Sequence, residues 1–449
     1  MASISELDSL QNTLNAALDT IREELKSNGL PELSTLSTTS HPFDEASTLP
    51  TPKFYQAQNT AIAALTRLDA LIQNPYKRIT QVVYGVYETA ALDVAVNVGV
   101  VDALLEAPDV ARGLSVAELQ SKLDVDAAKL AIVLRLLATK GWFHETSEGV
   151  FAVTRPSLQL SKGKNGWKTV LTPGKPKVAD SLLKMLTHPQ WKYSQDSKQT
   201  AYQLAHDTDL IMFEHLYKYT PDTAKLFANS IKSLGDEFSP GILEDFPWQE
   251  LDGRTIVDCG GGQGSMTLLL VPRLKNTSFI IQDLPGPLEL AKKNLEVTLP
   301  EAYKAGRIKL EEHDFFTPQT QTGSDKVFIF RWVLHDWPDD EAVKILSEAA
   351  KGGGKGAKVL IIEFVVIPGS IRSIESTTPT NDPLPPYIPA DYGQVSTIAH
   401  DMGAHMLAIL NARERTLAEY ESLVNRAGMK VVKLWNTRSP LSLIEVEVV

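Results

Sequence analysis

The chain has little that would crosslink it, anchor it or draw it to an anionic partner. Its 449 residues include one cysteine, Cys259, so no disulfide framework can form within the chain and no cysteine-based metal site is expected, which suits a reducing cytoplasm. No run approaches the roughly 20 apolar residues of a membrane span, and the amino terminus MASISELDSL lacks the basic and apolar segments of a signal sequence. An excess of basic residues is missing too: 44 Lys and Arg face 55 Asp and Glu, for a net charge of −11. Non-specific attraction to nucleic acid or to an anionic membrane is therefore disfavoured. No spaced cluster of metal ligands stands out, and no metal is expected. What is present is ordinary for a globular protein, 43% hydrophobic and 22% charged residues, in a length that suits two domains and an appendage.

The appendage comes first. Ile4, Leu7, Leu14, Leu18, Ile21 and Leu25 recur at three- and four-residue spacings, so residues 1–30 read as one amphipathic helix. Its stripe is too short for a sustained coiled coil, and docking on its own domain is the expectation. Residues 31–52, rich in Ser, Thr and Pro, read as a linker, which makes 1–52 a helix plus linker. From 53 to 177 a mostly helical domain is expected. Within it Ser115 caps a helix with Glu118 at the capping-box position, a second helix spans Asp126 to Lys140, and Trp142–Thr146 with Val150–Thr154 form a hairpin. That is a winged-helix pattern, but Lys129, Arg135 and Lys140 against Asp124 and Asp126 on an apolar helix make a poor DNA reader. A scaffold or dimerisation role fits better. Residues 178–240 continue as helices with Trp191, Tyr193, Tyr202, Phe213, Tyr217, Tyr219 and Phe227, expected mostly in the core, with some walling a pocket for a flat apolar substrate.

From 241 to 449 strands and helices alternate around the stretch TIVDCGGGQG at 255–264. Thr255, Ile256 and Val257 read as a buried strand, Asp258 ends it, and Gly260, Gly261, Gly262 and Gly264 turn into a helix starting near Ser265. Such a turn lets a ligand approach the backbone and offers it the helix's free N–H groups. A glycine turn by itself is also common for packing alone, and context decides. A second strand, Phe279 to Gln282, ends in Asp283, where a carboxylate can grip both hydroxyls of a ribose. Asp258, just before the first glycine, would repel a pyrophosphate but suit a ligand with an ammonium group. S-adenosylmethionine has an ammonium group, an adenosine and no phosphate. The closing pair of strands, Met429–Trp435 and Ser442–Val448, requires an antiparallel return, the arrangement of class I methyltransferases.

His335 follows the strand that begins near Lys326 and should sit just past the carboxyl edge of the sheet, where doubly wound folds keep their ligands. An unperturbed imidazole is mostly neutral at about pH 7 and able to act as a general base; a helix-capping or core histidine is the competing reading. Glu363 at the tip of the next strand and Glu414 in NARERT are the acids able to orient it; each alone reads more readily as a surface or structural charge, and it is the three together that point to a site.

These stretches resemble the plant and fungal O-methyltransferases of the caffeic acid type, which depend on S-adenosylmethionine. The resemblance lies in VDCGGGQG at 257–264, QDLP at 282–285, HDFF at 313–316, RWVLHDWPDDE at 331–341, VLIIE at 359–363 and RERT at 413–416, in that order. It implies a class I methyltransferase Rossmann-like sheet with an antiparallel last strand, preceded by a mostly helical winged-helix dimerisation domain, from about Tyr84 to Ser161, and hence a homodimer. It also implies His335 as the base with Glu363 and Glu414 beside it. The cofactor would be held by Asp258, Gly260, Gly262 and Asp283, by Asp314 and Phe315 on the adenine side, and by Arg331, where the family commonly has lysine. Neither the 1–52 extension nor a Pro-, Ser- and Thr-rich insert at 370–393 belongs to the family pattern; the insert reads as a surface loop, with a flap near the substrate as the alternative.

The expected activity is transfer of a methyl group to a hydroxyl of a small aromatic or polyketide-like metabolite. The alternative is a methyltransferase-like pericyclase that binds the cofactor without transferring methyl. The presence of His335, Glu363 and Glu414 favours the first, because a pericyclic step needs no strong base.

Overall fold

The structure is a computed structural model that describes residues 4–173, 175–371 and 384–449; the middle of the 370–393 insert, read above as a surface loop or flap, thus lies outside the described residues. Two compact units emerge. The first comprises Met1–Pro176, Leu216–Glu237 and Ile371–Pro389, the second Lys177–His215, Phe238–Ser370 and Ala390–Val449.

In the first unit helix α1 (Glu6–Ser27) starts at Ser5, whose hydroxyl accepts from the Asp8 N–H at 3.1 Å. It lies along α2 (Pro52–Ile72), burying Leu10, Ala17 and Leu25, while Ile4 and Leu7 at the start of the expected stripe stay exposed. Glu6 pairs with Arg67 at 2.9 Å, so the helix docks on its own unit as its short stripe suggested. The segment read as a linker is pinned rather than free. His41 caps a short turn, and Asp44 takes a two-pronged bond from Arg155, with Nε 2.9 Å from both carboxylate oxygens. Beyond it run α3 (Pro75–Tyr84), α4 (Val86–Val98) and α5 (Val100–Leu105), then the winged-helix part. Strand β1 (Leu114–Ser115) leads into α6 (Val116–Leu123), closed by the expected Ser115–Glu118 capping box, and α7 (Ala127–Thr139) follows. Strands β2 (Phe143–Ser147) and β3 (Val150–Val153) form the antiparallel wing, with β1 on the other side of β3.

The second unit is built on a seven-stranded sheet. Strands β4 (Thr255–Cys259), β5 (Ser278–Asp283), β6 (Ile308–Glu312), β7 (Lys326–Arg331) and β8 (Lys358–Glu363) are parallel, in the order β8-β7-β4-β5-β6. Four of them read as nearly continuous apolar runs because both faces are covered. Short strands β9 (Val365–Val366) and β10 (Arg415–Thr416) pair in parallel just beyond that sheet. The sheet is completed by β11 (Met429–Asn436) and β12 (Ser442–Val448); β12 slots between β8 and β11, antiparallel to both. The doubly wound sheet with an antiparallel last strand is thus observed.

The aromatics between 178 and 235 depart from expectation. Tyr202 is buried, but Tyr193, Tyr217 and Tyr219 are exposed, and Trp191, Phe213 and Phe227 are partly so. Of these seven aromatics Tyr202 alone is buried, so the segment does not form the aromatic core that composition suggested.

Candidate active site

Every site residue lies in the second unit, at the carboxyl edge of the sheet. The turn after β4 places Gly260 and Gly262 at φ of +66° and +57°, a region where a side chain would be strained. A Cβ on Gly260 would also meet Val333 Cγ2 at 3.0 Å, whereas the space beside Gly262 is open. Asp283, at the end of β5, ties down the turn: its carboxylate accepts from the Gly262 N–H at 2.8 Å and the Leu284 N–H at 2.7 Å. Each of its oxygens keeps a lone pair for a further donor. Asp258 is only 3% exposed and accepts from Thr267 Oγ1 at 2.8 Å. Burial pushes it up to about 6 against that hydrogen bond and the charge of Arg331. The acid expected to meet a ligand's ammonium group therefore also braces the turn against the following helix.

Phe315 packs beside Gly260 and stands edge-on to Phe316 and Trp337. Asp314 is exposed and caps its own turn through the Phe316 N–H at 2.9 Å. Arg331 reaches Ser239 Oγ at 3.1 Å and stacks on Trp332, 4.8 Å from the ring centre. Gly260, Gly262, Asp283 and Phe315 thus border one turn, Asp258 lies beneath it, and Asp314 sits at the surface.

The second half of the site is a buried charge cluster. His335 Nδ1 lies 2.7 Å from Glu414 Oε1 and 3.7 Å from Glu363 Oε2, and its Nε2 is 3.5 Å from Asp336 Oδ1. Glu363 also accepts from the Val333 and Leu334 N–H groups, both at 3.0 Å, fixing the loop that carries the histidine. The β9–β10 pairing is what brings Glu414 beside Glu363. Arg415, fully buried, donates to Leu334 O at 2.7 Å, Trp337 O at 2.6 Å and Asp339 Oδ1 at 2.9 Å, clamping the same loop from the other side.

Burial alone would lower the His335 pKa, but Glu363, Asp336 and Glu414 together outweigh it and raise it to about 10. Burial in turn pushes Glu363 up to about 7 and Asp336 to about 6. This corrects the expectation of a mostly neutral imidazole at pH 7, which held for an isolated side chain. The field of the three acids favours a proton on His335 instead. The ligating atoms of His335, Glu363 and Glu414 lie within 4.8 Å of one another, compact enough for a cation. Sequence spacing hid this convergence. Arg415 and Asp336 were missed by sequence reading. One signal was available for the first: Thr416 and Glu419 form a capping box that starts a helix right after RER.

A cavity of about 500 Å³ opens against Glu414, lined on its apolar side by Val366, Ala399 and Leu407 and on its polar side by His400 and Arg413.

Residues 191–384 match the O-methyltransferase domain family and residues 80–161 the O-methyltransferase dimerisation domain. The O-methyltransferase tpcA of Aspergillus fumigatus is 30% identical over 438 residues, covering 88% of each chain. The chain belongs to the S-adenosylmethionine-dependent O-methyltransferase family.

Among solved structures, the methyltransferase resembles the O-methyltransferase NcsB1 of neocarzinostatin biosynthesis, in complex with S-adenosylmethionine and 2-hydroxy-5-methyl naphthoic acid. The TM-score is 0.59 and the identity 24%, over 81% of this chain and 96% of that one. It also resembles a structure described as a pericyclic reaction enzyme, with a TM-score of 0.70 and 18% identity over 98% and 100% of the two chains. At those identities the likeness is one of fold. The turn fits the family's cofactor on its own evidence: open space beside Gly262, a carboxylate at Asp283 with lone pairs left for further donors, and a second carboxylate, Asp258, beneath the turn. No helix among the described residues is long and apolar enough to cross a membrane.

Proposed function

We propose that this methyltransferase methylates a hydroxyl of a small aromatic or polyketide-like metabolite, with His335 as general base, Glu363 and Glu414 as its supports, and a homodimer as the working form. The observation that carries this reading is the 2.7 Å contact between His335 Nδ1 and Glu414 in a fully buried setting. By accepting the Nδ1–H, Glu414 fixes the tautomer and leaves Nε2 to take the acceptor's proton. Glu363, bonded to two backbone N–H groups, holds the histidine loop and stabilises the imidazolium that results. Gly260, Gly262, Asp258, Asp283, Asp314, Phe315 and Arg331 are the proposed cofactor contacts. When bound, the cofactor supplies an electrophilic methyl on a cationic sulfur, whose charge also disfavours an imidazolium nearby. The chain's own part is to orient the hydroxyl and remove its proton, and orientation contributes much of the acceleration.

The homodimer draws support from the matched dimerisation domain and from an apolar face. Ile72, Tyr76, Ile79, Val82, Val83 and Tyr87 are each more than half exposed, a concentration that marks an interaction surface.

The test is incubation of purified protein with methyl-labelled cofactor and a panel of phenols and hydroxynaphthoates. Label should move to oxygen. The second reading, a pericyclase, is favoured by the fold likeness over 98% of the chain. It wins if the protein binds the cofactor and rearranges a polyene without consuming label.

A further inference from the structure

Arg331 stands where the family commonly has lysine, and the chain holds it in a way that a single ammonium group could not use. Its guanidinium is gripped at both terminal nitrogens: Nη2 donates to Ser239 Oγ at 3.1 Å, and Nη1 lies 3.8 Å from Met266 Sδ. Ser239 and Met266 are 1% and 2% exposed, so neither anchor is a loose surface contact. Met266 belongs to the short helix Ser265–Leu270 that follows the glycine turn, and this contact ties the guanidinium to the turn. Ser239 lies near the carboxyl end of the helix Pro221–Asp245, in the part that belongs to the second unit. Its neighbour Phe238 meets Trp332 edge-on, with ring centres 6.4 Å apart. Trp332 needs that hold, because its φ of +53° is one that a bulky residue adopts only where its surroundings enforce it. Phe364 stacks on Trp332 at 6.5 Å, the Trp332 N–H donates to Ile362 O at 3.3 Å, and the indole carries the Arg331 guanidinium at 4.8 Å. Two consecutive residues of one helix thus fix Arg331 and Trp332 at the end of β7.

We propose that Ser239 is a positioning residue that aims the planar fork of Arg331 at the carboxylate on the methionine part of S-adenosylmethionine. The inference rests on the reading of Arg331 as a cofactor contact. A guanidinium only donates, and the carboxylate is the anionic group of this cofactor, so it is the partner that Arg331 can take. Asp258 beneath the same turn carries the opposite charge, which suits the ammonium group on the same carbon. Fixing both terminal nitrogens sets the plane of the fork before the ligand arrives, and a fork already in place loses less freedom on binding. Without the Ser239 hydroxyl the charge remains but its direction is no longer set. The carboxylate should then be held less firmly, while the rest of the cofactor is held as before.

Calorimetry with two ligands tests this without turnover. One is S-adenosylmethionine, and the other is its decarboxylated analogue, which keeps the adenosine, the sulfonium and the ammonium group. The wild type should prefer the carboxylated ligand. Ser239→Ala should cut that preference by roughly fivefold or more, through weaker binding of the carboxylated ligand alone. Arg331→Met should abolish the preference, and adding Ser239→Ala to it should change nothing further, since the hydroxyl then has no fork to aim. An undiminished preference in Ser239→Ala overturns the proposal. Equal weakening of both ligands overturns it as well, because that is the mark of a serine that only packs. Failure of the underlying contact is separately visible, as a preference retained in Arg331→Met.

Discussion

His335, the proposed base, sits in a field that favours its charged form. Its folded-state pKa is raised from 6.5 to about 10 by three carboxylates acting against burial. A raised histidine pKa gives stability that is fully present below about pH 6.5 and lost as pH climbs toward about 10. Thermal unfolding of the ligand-free protein should therefore show falling stability across that window, and His335→Gln should flatten the slope; an equal slope in the variant would show that the proton resides elsewhere. The same residue sets the direction of the pH–rate profile, since kcat/KM must rise with pH as the imidazolium gives up its proton. Much of this residue-level picture was legible in the chain: HDW after a buried strand and an acid at the tip of the next one pointed to His335 and Glu363. The protonation state was not, because it depends on Asp336 and Glu414 arriving within 3.5 Å and 2.7 Å of the ring.

At the scale of elements, the site depends on a two-residue ladder. Val365 pairs with Arg415 and Val366 with Thr416, and this brings together segments that lie far apart in the chain. Arg415 then fastens the histidine loop through two carbonyls and Asp339. Replacing it with methionine keeps the volume but leaves Leu334 O and Trp337 O without donors. The expected cost is about 2–4 kcal/mol in denaturant unfolding, together with a loss of kcat. A change below about 0.5 kcal/mol would mean the loop is held by Glu363 alone. The helix α1 offers an independent check. Leu10 is fully buried against α2, so Leu10→Ala should cost about 2–4 kcal/mol, measured in the same way. Here the periodic stripe announced the helix and its docking. The pinning of residues 41–45 was invisible, since Asp44 and Arg155 look like isolated surface charges until the fold brings them together.

For the whole molecule, the alternation of apolar strands and helices after residue 241 and the final strand pair were enough to specify the sheet, because strands covered on both faces must be continuously apolar. Assembly is a matter of surface. The exposed apolar run over α3 and the start of α4 should be the seam between two copies, and a Val82→Glu, Val83→Glu double variant should sediment as a monomer at micromolar concentration where the wild type is a dimer. A wild-type monomer would remove the homodimer. The central claim, that a buried imidazole strips a hydroxyl for methylation, has one direct measurement. It is the single-turnover rate of label transfer from the methyl donor to a phenol, compared between wild type and His335→Ala at saturating donor, with donor affinity checked by calorimetry. The account predicts a rate lower by roughly two orders of magnitude or more in the variant with affinity retained, and an unchanged rate would contradict it.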